Sequence, residues 1–307
     1  MIPAAKALPC ALAAGALLAV ACGTSSSSAT RASLESRVNP IGRAEGFVVG
    51  PDGTIYFSGF GQTVGRHKAP YQSPPEKDWV HMPVAGTKVF GVILDPRKKA
   101  LYAAARGANK LYRIHLDDPA TIDAVADVED TINGLTLAED GAVYYTQQSM
   151  KDALGKDLDN TGHVFRVDPG TGIKTRVDAA PINQANGLAF GPDRQLYVLS
   201  WANPGVITRL HLENDVEVGR EVYATLPTGK ADGLAFDRKG AVYVSSGGLY
   251  KVAPDRTITK LHERGGANVD FGVGATARDV MWADSMPGPH AVEVDSEGMD
   301  VPWHRAP

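Results

Sequence analysis

Cysteine is nearly absent from this sequence, and both cysteines lie close to its start. Among 307 residues only Cys10 and Cys22 are cysteine. No cysteine follows Cys22, so the rest of the chain can contain neither an internal disulfide nor a cysteine nucleophile. This excludes the disulfide-stapled domains and the thiol-dependent enzymes as classes for that part of the chain.

Runs of basic residues and familiar catalytic motifs are also missing. Lys and Arg number 31 against 35 Asp and Glu, which gives a net charge of −4 with neutral histidines. A nucleic-acid-binding face normally carries clustered basic residues, so we expect no nucleic-acid partner. Neither an H-E-x-x-H nor a G-x-S-x-G motif occurs, so nothing supports a zinc peptidase or a serine hydrolase.

One apolar run, residues 7–21, follows Lys6 near the start of the chain. A membrane-spanning helix needs about 20 apolar residues, so a run this short predicts a signal peptide, here over residues 1–22. Residues 23–38 begin with a Ser-rich tract and are predicted to be a flexible linker.

The end of the predicted signal peptide allows two kinds of processing. The residues Ala19-Val20-Ala21-Cys22 resemble a bacterial lipobox, in which Cys22 becomes the lipidated first residue. We therefore expect a lipoprotein of the bacterial cell envelope that meets the membrane only through a lipid anchor at Cys22. Ordinary cleavage before Cys22 would give a soluble periplasmic or secreted protein instead.

A repeated phrase organises the rest of the sequence. It consists of a short apolar run, a turn containing Pro, Asp or Gly, and a second apolar run rich in Tyr and Val, which together predict a β-hairpin. Five copies begin at Glu45, Phe90, Asn133, Asn186 and Asp232, and a degenerate sixth copy begins at Ala267. Further strand-like runs follow most copies. The repeat predicts an all-β fold, a six-bladed β-propeller over residues 39–307, closed by pairing of the strand near His290 with the N-terminal strand.

The residue that opens each phrase is expected to face the central channel of the propeller. Four of these residues carry side-chain oxygens, namely Glu45, Asn133, Asn186 and Asp232. Two carboxylates and two amides are the hard oxygen ligands that Ca²⁺ prefers. The sequence thus predicts a central divalent-metal site for Ca²⁺, with Mg²⁺, Mn²⁺ or Zn²⁺ as alternatives.

The phrases resemble the senescence-marker-protein/gluconolactonase family of six-bladed propellers. The matching stretches are Glu45-Gly46, Asn133-Gly134, Asn186-Gly187-Leu188-Ala189-Phe190 and Asp232-Gly233-Leu234-Ala235, and the tail from Val294 resembles the family's closing segment. The resemblance implies a central cation, held at positions matching Glu45, Asn186 and Asp232, and hydrolysis of lactones or related esters. Asn133 matches a position that contacts metal in some members and substrate or water in others.

The sequence departs from the sugar-lactonase pattern at two positions. Thr131 stands where an Arg is typical, and Gly134 stands where an Asp is typical. A sugar-acid lactone is therefore a doubtful substrate, whereas a metal-dependent lactone or ester hydrolase with Asp232 as the proton-transferring residue is our main hypothesis. The alternative is a non-catalytic propeller that binds a ligand or a protein and has a structural cation. We expect a monomer.

Loops that follow the second strand of each blade should overhang the channel mouth. The longest predicted ones are residues 60–82 and 147–162, which we expect to act as lids. Phe60, Gln147 and Trp201 lie at such positions and, with Asn133, are predicted to contact a small-molecule substrate.

Overall fold

The computed structural model describes residues 44–58, 61–282 and 290–306. Within these residues the chain forms 23 β-strands and three short 3₁₀ helices, at Pro96–Lys98, Gly274–Thr276 and Pro302–His304. The strands form six separate antiparallel sheets. The all-β six-bladed propeller predicted from the repeat is confirmed. The predicted signal peptide, the linker, Cys22 and Phe60 lie outside the described residues.

Each sheet is one blade, and its strands follow one another in sequence. Blades one and two contain β1 (Gly46–Val49), β2 (Ile55–Ser58), β3 (Thr63–His67), β4 (Glu76–His81), and β5 (Lys88–Asp95), β6 (Ala100–Arg106), β7 (Lys110–His115), β8 (Ile122–Asp127). Blades three and four contain β9 (Ile132–Leu137), β10 (Val143–Gln147), β11 (His163–Val167), β12 (Lys174–Arg176), and β13 (Ala185–Phe190), β14 (Leu196–Ser200), β15 (Val206–Glu213), β16 (Val216–Thr225). Blades five and six contain β17 (Leu234–Phe236), β18 (Val242–Ser245), β19 (Leu249–Val252), β20 (Ile258–His262), and β21 (Val269–Phe271), β22 (Asp279–Trp282), β23 (His290–Glu293).

The Tyr and Phe of the repeated phrase pack one blade against the next. Tyr144 of blade three meets Phe190 of blade four edge to face, with ring centroids 5.0 Å apart. Tyr197 meets Phe236, and Tyr243 meets Phe271, in the same way at 4.8 and 5.3 Å. Such pairs are worth about 0.5–1.5 kcal/mol beyond the area they bury. The repeated residues therefore form the interfaces between blades.

The glycine that follows most of the opening residues allows the innermost strands to approach each other closely. A Cβ on Gly134 would lie 2.7 Å from the Asn186 carbonyl oxygen, and one on Gly187 would lie 2.1 Å from the Asp232 carbonyl oxygen. Only a residue without a side chain fits such contacts. The glycines that follow the opening residues thus set the spacing of the innermost strands around the axis.

The ring closes differently from the prediction. Among the described residues β23 pairs with β22, as the third strand of blade six, and not with the N-terminal strand β1. Strand β1 instead begins blade one and contacts β21. Asn268 links the two blades, because its Nδ2 donates to the Phe47 carbonyl oxygen at 2.6 Å. Closure therefore occurs between innermost strands.

The loop predicted in blade one contains two strands. Residues 60–82 were predicted to form a single long lid, but they contain β3 and β4. Val64 of β3 pairs with Val80 of β4, and both side chains are buried in the hydrophobic core. The predicted long loop of blade three is confirmed. Residues 148–162 of the described chain connect β10 to β11 and contain no named strand, although an isolated bridge joins Lys151 to Asp157.

The C-terminal segment crosses one end of the channel. Met299 N donates to the Phe236 carbonyl oxygen at 2.9 Å, and His304 Nε2 lies 3.3 Å from Asp270 Oδ1. Met299, Val301 and Trp303 border a cavity of about 40 Å³ with apolar residues of the innermost strands. This end of the channel is therefore filled, and the open cavity lies at the other end. No helix of sufficient length and apolar character to cross a membrane occurs in the described part of the chain.

Candidate functional site

All six residues that open the repeated phrases line one open cavity of about 470 Å³. Each one lies within two residues of the start of the innermost strand of its blade. The prediction that these positions face the channel mouth therefore agrees with the geometry. The remaining lining residues include Arg106, Gln148, Asp157, Trp201 and Gly265.

A much smaller space of about 30 Å³ adjoins the floor of this cavity. The four oxygen-bearing residues border both spaces, namely Glu45, Asn133, Asn186 and Asp232. Apolar side chains also border the small space. Leu135 and Leu188 stand two places after Asn133 and Asn186, and Val92 stands two places after Phe90. About 10–15 Å³ is enough for one water, so the small space has room for a single ion or water.

The two amides offer their oxygens as ligands. Asn133 Nδ2 donates to Gln148 Oε1 at 3.4 Å, and the side chain of Asn186 donates to the Asp232 carboxylate. Because the nitrogen of each amide is hydrogen-bonded, the oxygen is the atom left for a cation. Both amides are buried, so neither is a simple surface turn residue.

The two carboxylates repel one another in the absence of a cation. Burial, and then the nearby Glu45 carboxylate, raise the pKa of Asp232 well above its usual value, and the Asn186 hydrogen bond and Arg106 only partly oppose this. A divalent cation between the carboxylates would remove that electrostatic cost. The donor set of two carboxylates and two amide oxygens therefore fits a hard cation such as Ca²⁺.

The amides are needed to complete such a set. Among the described residues no three His, Cys, Asp or Glu side chains lie together as a potential metal cluster. Asn268 also borders the small space, one place beyond Ala267 in the degenerate sixth phrase.

Hydroxyl groups of the second strands hold the ring residues in place. Thr146 Oγ1 donates to the Asn186 carbonyl oxygen at 2.6 Å and accepts from Gly134 N at 3.0 Å. Ser58 Oγ donates in the same manner to the Phe90 carbonyl oxygen of the following blade. The start of an innermost strand is therefore fixed by the blade before it.

Arg106 also lines the cavity, although it was not among the residues predicted to do so. Its Nε donates to the Ile132 carbonyl oxygen at 2.6 Å, and its Nη2 donates to Gln148 Oε1 at 2.9 Å. The guanidinium carbon lies 3.7 Å from the centre of the Phe90 ring. Burial lowers the pKa of Arg106 to about 10, so the side chain is still a cation at neutral pH.

The predicted substrate-contacting residues differ in their placement. Asn133 and Trp201 line the cavity. Gln147 is buried in β10 and is not among the lining residues, whereas its neighbour Gln148 is. Asp157, which lies within the predicted loop 147–162, reaches the cavity and accepts a hydrogen bond from Ser149 Oγ at 2.6 Å.

Three of the cavity-lining residues stand at the same distance from a repeated tyrosine in the sequence. Arg106, Gln148 and Trp201 each stand four places after the repeated Tyr of the second strand, at Tyr102, Tyr144 and Tyr197. All three line the cavity. The position four after this Tyr is therefore the equivalent cavity wall in blades two, three and four.

Solved structures of several proteins share this fold. A candidate gluconolactonase from a structural genomics consortium is 23% identical, with a TM-score of 0.68 over 85% of this chain and 93% of that chain. A gluconolactonase from Xanthomonas campestris is 20% identical, with a TM-score of 0.63 over 86% of this chain and 90% of that one. A luciferin-regenerating enzyme is 15% identical, with a TM-score of 0.67 over 87% and 96% of the two chains. At these identities the likeness shows the fold alone.

The sequence itself shows the family. No curated protein matches the chain significantly. The family model described as the SMP-30/gluconolactonase/LRE-like region matches residues 91–268, which is more than half of the chain. The matched stretch includes three of the four oxygen-bearing ring residues, Asn133, Asn186 and Asp232. The chain belongs to the SMP-30/gluconolactonase/LRE-like family.

Proposed function

We propose that this protein is a metal-dependent hydrolase that acts on a lactone or a related ester. One observation carries the proposal above all: Glu45, Asn133, Asn186 and Asp232 converge on a single ion-sized space at the floor of an open cavity. The family and the gluconolactonase neighbours support the same reaction class.

The residues at the cavity floor would hold the cation, for which Ca²⁺ is the preferred candidate and Mg²⁺, Mn²⁺ or Zn²⁺ are alternatives. When bound, the cation would polarise the substrate carbonyl and stabilise negative charge that develops on its oxygen. The open cavity of about 470 Å³ suits a small-molecule substrate.

Asp232 is the residue we assign to proton transfer. It is a carboxylate at the cavity floor, and a carboxylate is a common proton acceptor in general acid–base catalysis. In this role an Asp232 carboxylate oxygen takes the proton of the water that attacks the carbonyl carbon. Asn133 and Asn186 would orient the substrate through the cation that their side-chain oxygens hold, and Trp201 forms part of the wall.

A substrate screen tests the proposal. The purified protein, freed of metal and then supplied with Ca²⁺ or another divalent cation, is assayed against lactones, aryl esters and phosphotriesters. We expect hydrolysis of a lactone or ester that requires the added cation and is abolished by chelation. A protein that retains its fold and binds the cation but hydrolyses none of them would favour the alternative, a ligand- or protein-binding propeller.

A further inference from the structure

Two cationic side chains at the cavity wall, Arg106 and Lys230, keep hydrogen-bond donors that could bind a ligand. Arg106 keeps both N–H groups of Nη1 without a hydrogen bond to any described residue, although its other donors are engaged. Lys230 forms no ion pair within the described residues, and its Nζ lies 3.6 Å from the centre of the Trp201 ring. Since Arg106 and Trp201 both line the cavity, these cations lie at its wall and rim.

Both aromatic rings of the described cavity wall are thereby covered by a cation. Phe90 lies against the Arg106 guanidinium and Trp201 against the Lys230 ammonium, at 3.7 and 3.6 Å. A cation over an aromatic ring is held in place without being neutralised. The walls therefore present positive charge to a ligand, and a purely apolar ligand would have to displace these groups.

The charges of the cavity do not balance without a ligand. The floor carboxylates, Glu45 and Asp232, offset the two charges of the proposed cation. Asp157 and Asp130 both act electrostatically on Arg106, but Asp130 already forms an ion pair with Lys151 at 3.1 Å. On the wall Asp157 is therefore left to offset one of the two cations, Arg106 and Lys230. One positive charge is left over, and a singly negative substrate would complete the balance.

We propose that the substrate of this site is a lactone or ester that carries a carboxylate group, recognised by Arg106 Nη1 and by Lys230. This rests on the proposed function, because the charge balance includes the cation at the floor. The reacting carbonyl would lie toward Asp232, and the carboxylate would lie toward the wall of blades two and four. The residue that determines specificity is Arg106, since its fork is already fixed by the carbonyl oxygens of Ile132 and Thr131.

Paired ligands test the proposal. One pair consists of a five-membered lactone with a ring carboxylate and its neutral carboxamide. The second pair consists of the cyclic ethers of the same shape, which cannot be hydrolysed and report binding alone by calorimetry. In the wild-type protein loaded with Ca²⁺ we expect kcat/KM, and the affinity for the ether, to favour the carboxylate by at least about tenfold, as for a charged hydrogen bond. The preference should shrink at high ionic strength.

Two variants locate the effect. Lys230→Gln, at an exposed side chain, should lower the preference several-fold by acting on the carboxylate ligand only. Arg106→Lys should lower it further, because the charge remains but the planar fork is lost. Lys77→Gln removes the same charge from exposed β4, away from the cavity lining, and should leave the preference unchanged.

The outcomes separate this proposal from the hydrolase assignment. Equal binding of the two ethers to the wild-type protein, or a Lys230→Gln effect that is identical for both members of a pair, would overturn carboxylate recognition whether or not the lactones react. Tighter binding of the carboxylate ether with no hydrolysis of either lactone would support carboxylate recognition and count against the hydrolase.

Discussion

At the scale of single residues, the cavity floor combines groups that would be unfavourable neighbours in an empty site. Asp232 is surrounded by protein and close to Glu45, and both effects raise its pKa. Asn186 donates to Asp232 through its amide nitrogen. This hydrogen bond positions the Asp232 carboxylate and leaves the Asn186 side-chain oxygen available to a cation. The two residues come from adjacent blades, so their relative position depends on the packing of those blades.

Asp232→Asn separates metal binding from proton transfer. The substitution keeps an oxygen of nearly the same size but removes the charge and the proton acceptor. We expect kcat to fall by roughly 10²–10⁴-fold, the usual scale of general acid–base catalysis, and to stay low at saturating Ca²⁺. Steady-state kinetics across a Ca²⁺ titration provide the measurement.

Asn186→Asp is the matched contrast for Asp232→Asn. It adds a charge and keeps an oxygen ligand, so metal binding should persist. A fully active Asp232→Asn enzyme at saturating Ca²⁺ would refute the catalytic role of Asp232. The proton acceptor would then have to be sought among the loop residues of the cavity, where Asp157 is the available carboxylate.

At the scale of strands, the spacing around the axis depends on close backbone contacts. Gly187 in β13 is buried, and its backbone nitrogen donates to the Asp232 carbonyl oxygen at 2.9 Å. The same contact leaves no room for a side chain. The hydrogen bond and the close contact at Gly187 therefore determine where Asp232 of the next blade is placed.

Gly187→Ala should disturb both the fold and the site. The new Cβ would lie 2.1 Å from the Asp232 carbonyl oxygen, so one of the two strands must move. We expect a loss of about 1–3 kcal/mol or more in the free energy of unfolding, as for other overpacked interiors, measured by urea denaturation.

Gly219→Ala serves as the control for the glycine substitution. Gly219 also lies in a strand, β16, but a Cβ there would meet only His211 Cδ2 at 3.9 Å, an ordinary contact. Its effect on the free energy of unfolding should be small. Equal stability of the two alanine variants would contradict the account of the close-packed ring.

The repeated phrase made the blades and the ring residues predictable, because it records contacts that recur in each blade. In each such blade the opening residue lines the cavity, the following Gly allows close contact between strands, and the Tyr of the second strand packs against the next blade. Residues 60–82 were misread because Pro70, Pro74 and Pro75 resemble loop signals, whereas only the middle of this stretch is a loop. Closure was misread because the partner of an edge strand is a long-range contact that local patterns do not record.

The cavity wall was less predictable than the floor. Arg106, Gln148 and Trp201 share no chemical type, so only their distance of four places from the repeated Tyr marks them in the sequence. Asp157 reaches the cavity through the fold of the loop between β10 and β11 and its contact with Ser149. Such positions follow from the path of the backbone, which the sequence pattern does not specify.

At the scale of the whole molecule, the proposed cation would connect blades that are distant in sequence. Glu45, Asn133, Asn186 and Asp232 come from blades one, three, four and five. A cation bound only by the folded ring stabilises the fold by mass action, by about 2.7 kcal/mol at a hundredfold excess over Kd. For a domain of this size, each kcal/mol corresponds to roughly 2–4 °C in Tm.

Thermal unfolding of the metal-free protein with and without Ca²⁺ tests the central claim most directly. The account predicts that chelation lowers Tm by several degrees, that Ca²⁺ restores it, and that the double variant Glu45→Gln/Asp232→Asn no longer responds to Ca²⁺. An identical unfolding curve before and after confirmed removal of the metal, in the wild-type protein, would contradict a cation site at the axis of the propeller.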